Sequence, residues 1–330
     1  MRYIAKISLV ILLGSLSLFA QAQTSKISSM PGAFSRLGFG ARGIGMGNAM
    51  SAVNEGNLVS YYNPAVIPYQ DGNSFQTAYT FLSLDRSLNF LSFTRRFEFG
   101  EKEDGTPRSV AGLSAGIINS GVSNIDQRDN QGFKTGDLST SENQFFIGLS
   151  NRFSEKFSVG LAIKFYYYSL YEDISSTGIG FDIGALYSIL DNLKIAFVIS
   201  DINSKYKWDT TDLYGQEGTN TEDKFPVLRK FGLSYKLESI GLLLSGEFEN
   251  SNAETNILRL GAEYNIFDML FLRGGIDRLN LSNSDFPVRP SLGFSYFYNL
   301  NDFYLGFDYA FVIEPYSSSD IHMVGLNFRF

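Results

Sequence analysis

Apolar and polar residues alternate along most of this chain. In one run, Val227, Arg229, Phe231, Leu233, Tyr235 and Leu237 share one parity, and Leu228, Lys230, Gly232, Ser234 and Lys236 share the other. Only the first parity is consistently apolar. The same two-residue period carries Leu258, Leu260, Ala262, Tyr264 and Ile266 against Ile257, Arg259, Gly261, Glu263 and Asn265, and it returns in Phe303, Leu305, Phe307, Tyr309 and Phe311. A period of two marks strands with one apolar face. Runs of about ten residues suit strands that cross a membrane at a tilt. About fourteen such runs are predicted, at 74–84, 87–99, 109–121, 141–153, 156–170, 177–189, 192–202, 226–237, 239–250, 255–266, 268–279, 289–299, 302–313 and 321–330.

Loop length sorts by parity. With the first strand rising away from the periplasm, the later lower turns at 154–155, 190–191, 238, 267 and 300–301 are short. The opposite connections include 122–140, 203–225, 280–288 and 314–320. Short turns on one side and long polar loops on the other are the habit of outer-membrane barrels. The first hairpins break the pattern, with a short link at 85–86 and a longer one at 100–108.

The beginning of the chain supplies a compartment. Arg2 and Lys6 precede an apolar run from Ile7 to Phe19 and the small-residue stretch Ala20-Gln21-Ala22, the order of a secretory signal peptide. The expected division is therefore a signal peptide at 1–22, an N-terminal plug or hatch segment at 23–73 and an outer-membrane barrel at 74–330. Composition agrees with the strands: 30 Phe, 19 Tyr and 32 Gly stand beside only 8 Pro. After the leader no apolar run is long enough for a membrane-spanning helix. The chain has no Cys and a single His, which removes disulfides, thiolate metal sites and most zinc sites. A net charge of −7 without a basic patch speaks against a nucleic-acid partner. The predicted fold class is all-β, a transmembrane antiparallel β-barrel of about 14 strands with an N-terminal helix/turn plug. Its surroundings are outer-membrane lipid, and no cofactor or metal is expected.

Two segments carry more specific signals. The stretch GFGARGIGMGNAM contains Gly38-x-Gly40-x-x-Gly43, the spacing of a dinucleotide loop, but no strand precedes it and the next carboxylate is Glu55. The βαβ context that such a loop needs is missing. The last residues, HMVGLNFRF, place His322, Val324, Leu326, Phe328 and Phe330 on one face. Gly325, Phe328 and the terminal Phe330 resemble the signal by which the barrel assembly machinery recognises its substrates.

The segment RLGFGARGIGMGNAMSAVNEGNLVSYYNPAVIP resembles the N-terminal region of the PorV/PorQ family, within the wider FadL-like group of outer-membrane barrels. The likeness lies in Ala41-Arg42, Gly45-Met46-Gly47, Ala49, Ala52-Val53 and Asn63-Pro64-Ala65, with the strand-rich remainder and the GLNFRF ending behind them. It implies a hatch of helix and turn inside a fourteen-stranded barrel, with Arg42, Gly43, Gly45, Gly47, Asn63, Pro64 and Ala65 as its motif residues. Small residues at 38, 40, 43, 45 and 47 allow backbone to lie close to a barrel wall. A short helix is predicted over 49–59, ended by Asn63-Pro64 because Pro disfavours helix in the residue before it. Arg42 is expected either to pair with a lumenal carboxylate, such as Asp182, Glu247, Glu263 or Asp308, or to sit solvated in the periplasm.

No catalytic constellation is expected. His322 falls on the lipid-facing parity, away from any lumenal nucleophile. Asp209, Asp212, Glu217, Glu222 and Asp223 lie in one long loop without the spacing of a calcium loop. FYYYSLY, at 165–171, fits an interfacial aromatic girdle or a ligand platform. Resemblance to the PorV/PorQ family implies an accessory barrel of the type IX secretion system, meeting secretion components and the C-terminal domains of cargo. The alternatives are FadL-like passage of hydrophobic small molecules and a purely structural barrel.

Overall fold

A computed structural model of the chain describes residues 27–171, 174–300 and 303–330. The expected leader at 1–22 lies outside the described residues. Fourteen of the strands close into one antiparallel barrel: β1 (Asn73–Phe81), β2 (Arg86–Glu101), β3 (Pro107–Arg128), β4 (Lys134–Arg152), β5 (Phe157–Tyr171), β6 (Ile174–Leu190), β7 (Leu193–Ile202), β10 (Leu228–Leu237), β11 (Leu242–Ser251), β12 (Thr255–Phe267), β13 (Leu270–Asn280), β14 (Arg289–Leu300), β15 (Phe303–Val312) and β16 (Ile321–Arg329). Each pairs with its sequence neighbour, except that β7 pairs with β10 across a separate hairpin of β8 (Lys205–Asp209) and β9 (Asn220–Lys224). The seam closes between β1 and β16, with Ala78 opposite Gly325. Just beyond that register Asn73 N–H donates to Phe330 O at 2.8 Å and Phe330 N–H donates back to Asn73 O at 3.1 Å. Both ends of the sheet therefore meet at one rim, here called the lower one.

The barrel is inside out relative to a water-soluble protein. Phe231 (50%), Leu233 (44%) and Tyr235 (39%) stand exposed on the outer surface, while Gly232 and Ser234 on the other parity face inward. Ile147, Ile163, Ile183, Phe197, Leu260, Leu292 and Leu326 continue the apolar belt around the wall. Leaving such a belt in water forfeits about 25 cal/mol for each Å² of apolar surface. An apolar solvent removes that cost, and closure satisfies every strand edge.

Three expectations about connections change. The stretch read as a long loop at 122–140 is mostly paired backbone, because β3 runs on to Arg128 and β4 starts at Lys134. A register shift between Val122 and Ile125, with Asn124 at φ 57°, hides the alternation there. The 203–225 loop holds β8, β9 and α2 (Thr211–Tyr214). The helix predicted over 49–59 is absent. Helix forms earlier, as α1 (Gly40–Gly45), and a 3₁₀ turn follows at Pro64–Tyr69. Asn63 begins that turn rather than ending a helix: its Oδ1 accepts from Ala65 N–H at 2.8 Å, the job of an N-cap, with Pro64 in the first turn.

Candidate functional site: the filled lumen

The barrel axis is occupied by the chain's own residues 30–72, most of them buried. At the upper end Gly32 abuts the ring of Phe225, which follows β9, and at the lower end Gly72 approaches Phe330 O. An aromatic group of Phe39, Tyr61, Phe90 and Phe146 fills the space between, with Phe39 and Phe90 ring centroids 5.0 Å apart. Tyr62 joins this segment to itself: its hydroxyl accepts from Phe39 N–H at 2.9 Å and donates to Asn48 Oδ1 at 2.8 Å. Gly43 lies directly under that phenol, where a Cβ would strike the ring.

One side of the wall meets this segment through charge. Arg42, 9% exposed, places Nε 2.8 Å and Nη2 2.7 Å from the two carboxylate oxygens of Glu263, and its Nη1 donates to Glu55 O at 2.5 Å. The two-pronged geometry matches the planar fork of guanidinium to carboxylate. Glu263 also takes Arg273 Nε at 2.5 Å, Arg273 reaches Ser295, and Ser295 and Asn327 reach Asp308. A second cluster centres on Arg259, which holds Asp277 at 2.7 Å and both Glu247 and Glu249 at 3.0 Å. Hatch atoms join it through Asn48 Nδ2 to Asp277 at 3.3 Å and Ser51 N–H to Glu247 at 3.2 Å. Above it Arg289 pairs with Glu314 at 2.5 Å. Ser291 hydroxyl bridges the wall to the Gly45-Met46-Gly47 turn, donating to Gly45 O and accepting from Gly47 N–H, both at 3.2 Å. Gly47 has φ 59° and lies so close to the Ile276 backbone that a Cβ would sit 2.7 Å from its nitrogen. Both conditions require glycine.

The opposite wall meets the segment by shape. Asn63 and Pro64 press on Gly184 of β6, and Pro64 carbonyl on Gly160 of β5, positions at which any Cβ would overlap hatch atoms. Ala65, fully buried, gives its carbonyl to Ser158 Oγ at 2.7 Å. Asn63 Nδ2 reaches back to Ser51 O at 2.7 Å, tying the two parts of the segment together.

The remaining predicted residues fall elsewhere. Gly325 is wall, buried in β16 beside Asp308, whereas Phe328 and Phe330 project outward near the lower rim against Phe75 and Phe303. Of the four carboxylates considered for Arg42 only Glu263 is its partner. Asp182 holds Lys164 at 2.7 Å instead, and Lys164 also reaches Asp201. His322 lies on the outer surface with Nδ1 2.7 Å from Tyr309 hydroxyl. The FYYYSLY run divides by parity: Phe165 and Tyr167 face outward, while Tyr166 and Tyr168 enter the lumen and pack with Tyr206. Burial and then Glu142, which Tyr206 reaches at 3.2 Å, push that phenol's pKa up. The loop carboxylates are engaged locally, Glu222 with Lys205 at 2.7 Å, Asp223 with Trp208 Nε1 at 2.9 Å and Asp209 with Thr211 N–H at 2.9 Å.

Three small spaces between hatch and wall have volumes of about 10, 20 and 30 Å³, the 30 Å³ one bounded by Arg36, Lys164, Asp201 and Arg259. Each holds a water or two. On the outer face a groove of about 620 Å³ lies over β11–β15, lined by Leu244, Leu260, Gly274, Pro290, Leu292 and Ile313. Its floor is thin, since Gly261 and Gly275 on the inner side lie against Met46 and Gly47. Beside it β13 bulges at Arg278, φ 59°, and Pro290 brings no N–H to the ladder.

No protein-family model matches the chain, and none of the curated proteins does. Among solved structures it is similar to the toluene transporter TbuX of Ralstonia pickettii, at TM-score 0.60 and 13% identity over 89% of this chain and 98% of that one. It is also similar to the toluene transporter TodX of Pseudomonas putida, at TM-score 0.56 and 14% identity over 88% and 96% of the two chains. A FadL homologue of Pseudomonas aeruginosa follows at TM-score 0.50 and 12% identity, again over 88% and 96%. The likeness extends over nearly the whole of both partners in each case and is one of fold.

Proposed function

We propose that this protein is an outer-membrane channel of FadL-like fold that admits hydrophobic small molecules. The observation that carries the reading is the near end-to-end likeness to barrels named as toluene transporters. The apolar outer belt supports a place in a membrane, and the apolar groove over the glycine floor beside Gly45-Met46-Gly47 supports a hydrophobic cargo. The type IX secretion role implied by the sequence resemblance has no counterpart among these neighbours, so the small-molecule reading replaces it as the leading one. Outer-membrane lipid and the barrel assembly machinery are its proposed partners.

The test is uptake. Cells lacking the gene should take up labelled toluene more slowly than the parent, and the complemented strain should recover. Equal rates in all three strains, with the barrel present in outer-membrane fractions of the parent, would overturn the proposal.

A further inference from the structure

Near the upper end of β1–β5 the outer wall changes character rung by rung. Tyr79, Asn89, Asn119, Asn143 and Tyr167 stand opposite one another across the five strands, and Tyr79 (46%) and Tyr167 (40%) are exposed, which puts the whole rung on the outward parity. The outward rung below it is Leu91, Ile117, Phe145 and Phe165, and the one above is Ser87, Gly121, Ser141 and Ser169. The three amides hydrogen-bond in one direction: Asn89 Nδ2 donates to Asn119 Oδ1 at 3.2 Å, Asn119 Nδ2 to Asn143 Oδ1 at 2.7 Å, and Asn143 Nδ2 to Ser141 Oγ at 3.0 Å. The Ser141 hydroxyl, an acceptor in this chain, still has a proton to give. A groove of about 520 Å³ runs over the rung, lined among others by Tyr79, Phe81, Asp85, Arg86, Asn119 and Thr140. Arg86 is exposed and held by Ser83, Nε to the carbonyl and Nη2 to the hydroxyl, both at 3.0 Å.

We propose that this groove is a binding site for the sugar headgroup of an outer-leaflet glycolipid, whose acyl chains lie on the apolar rung below. With both ends of the sheet at the lower rim, the upper rim of an outer-membrane barrel meets the outer leaflet. Three stacked rungs, apolar, amide and hydroxyl, then match an amphiphile that lies along the wall with its chains toward the membrane centre. Amides and hydroxyls both donate and accept, as sugar hydroxyls do. Tyr79 and Tyr167 close the rung at either end with the amphipathic rings typical of a membrane interface. Asp85 balances Arg86 in the same groove, so an anionic phosphate gains no net attraction there and the sugar is what is read. The site rests on the outer-membrane placement, goes beyond the small-molecule reading, and lies on the outside of β1–β5, away from the apolar groove over β11–β15.

The measurement is lipid binding to the full-length barrel in detergent, read by native mass spectrometry with lipid A, dephosphorylated lipid A, phosphatidylethanolamine and phosphatidylglycerol as probes. Wild type should retain both forms of lipid A in preference to either phospholipid. Asn119→Leu with Asn143→Leu extends the apolar rung and should weaken both forms of lipid A about tenfold while leaving the phospholipids unchanged. Should that double variant not give a heat-modifiable barrel, Tyr79→Ser removes one flanking ring and should weaken lipid A in the same selective way. The deacylated disaccharide alone should not be retained. Equal retention of lipid A and phospholipids by wild type, loss of binding on dephosphorylation, retention of the deacylated sugar as tight as that of the lipid, or a folded variant that binds as wild type does would each overturn the proposal.

Discussion

Asn63 shows how much one hatch side chain does. Its Oδ1 caps the Pro64–Tyr69 turn while its Nδ2 holds Ser51 O, so both ends of the amide are spent inside a fully buried site. Replacing it with Ala removes a cap and leaves a carbonyl and an N–H without partners, a loss of about 1–3 kcal/mol. The urea midpoint of Asn63→Ala in detergent should fall accordingly, and so should that of Asn63→Asp, which keeps the cap oxygen but turns a buried carboxylate oxygen on Ser51 O; equal midpoints for all three proteins would refute the double role. Gly160→Val should do more damage, since overpacking costs about 1–3 kcal/mol even where neighbours can yield, and here the neighbour is Pro64 backbone. Increased protease cleavage near residues 54–57 would register the displaced hatch. These residues were legible as small or polar punctuation, but their direction was not. Asn-Pro is compatible with the end of one helix and with the start of the next turn, and only the partner of Oδ1 decides between them.

At the level of elements, alternation was readable where one face of a strand needs an apolar solvent and disappeared where it does not. β3 and β4 above Val122 and Thr140 pair only with each other, so neither face is held to an apolar pattern and the sequence looks like loop. Removing residues 126–137 and rejoining the arms with a two-residue turn should therefore leave a heat-modifiable barrel with an unchanged urea midpoint. The β8–β9 hairpin was hidden for a different reason: each strand has only five residues, and although Tyr206 and Trp208 of β8 pack inward, β9 is polar and exposed throughout. The hairpin is tied by Lys205–Glu222 and by Asp209, whose carboxylate accepts from Thr211. The hydroxyl and backbone of Thr211 hold the Asp209 pKa below its ordinary value, and the bond from Lys205 does the same for Glu222. A depressed folded pKa contributes stability above the unfolded value, about 3.9 for Asp and 4.3 for Glu. That contribution is lost as pH falls through the lower folded values. Trp208, the single Trp, packs on Tyr206 and Tyr168 in this hairpin, so its emission should stay constant down to about pH 4 and shift below it. A midpoint well above pH 5 would point to some other group.

For the molecule as a whole, the inversion of a soluble protein was legible from the chain alone: Gly, Ser, Lys and Glu on one parity and Leu, Phe and Tyr on the other already say which side meets lipid and which meets a polar interior. What the pattern did not contain is the pairing inside the lumen, because Glu247, Glu263 and Asp308 look alike along the strands, and only closure chooses a neighbour for Arg42. Closure also gives the terminal Phe330 a second task beside its proposed part in recognition by the assembly machinery, since its backbone completes the seam with Asn73. Phe330→Ala, which keeps that backbone, should lower the amount of barrel in the outer membrane without changing the urea midpoint of what does assemble; a lowered midpoint would place the effect in the folded wall. The seam carries a constraint on the order of events as well. The hatch leads without a break into β1, and its backbone lies flush against Gly160 and Gly184 with no clearance for late threading. The cork is thus in the cask before the last stave is hooped, and a barrel that closes early is left empty for good.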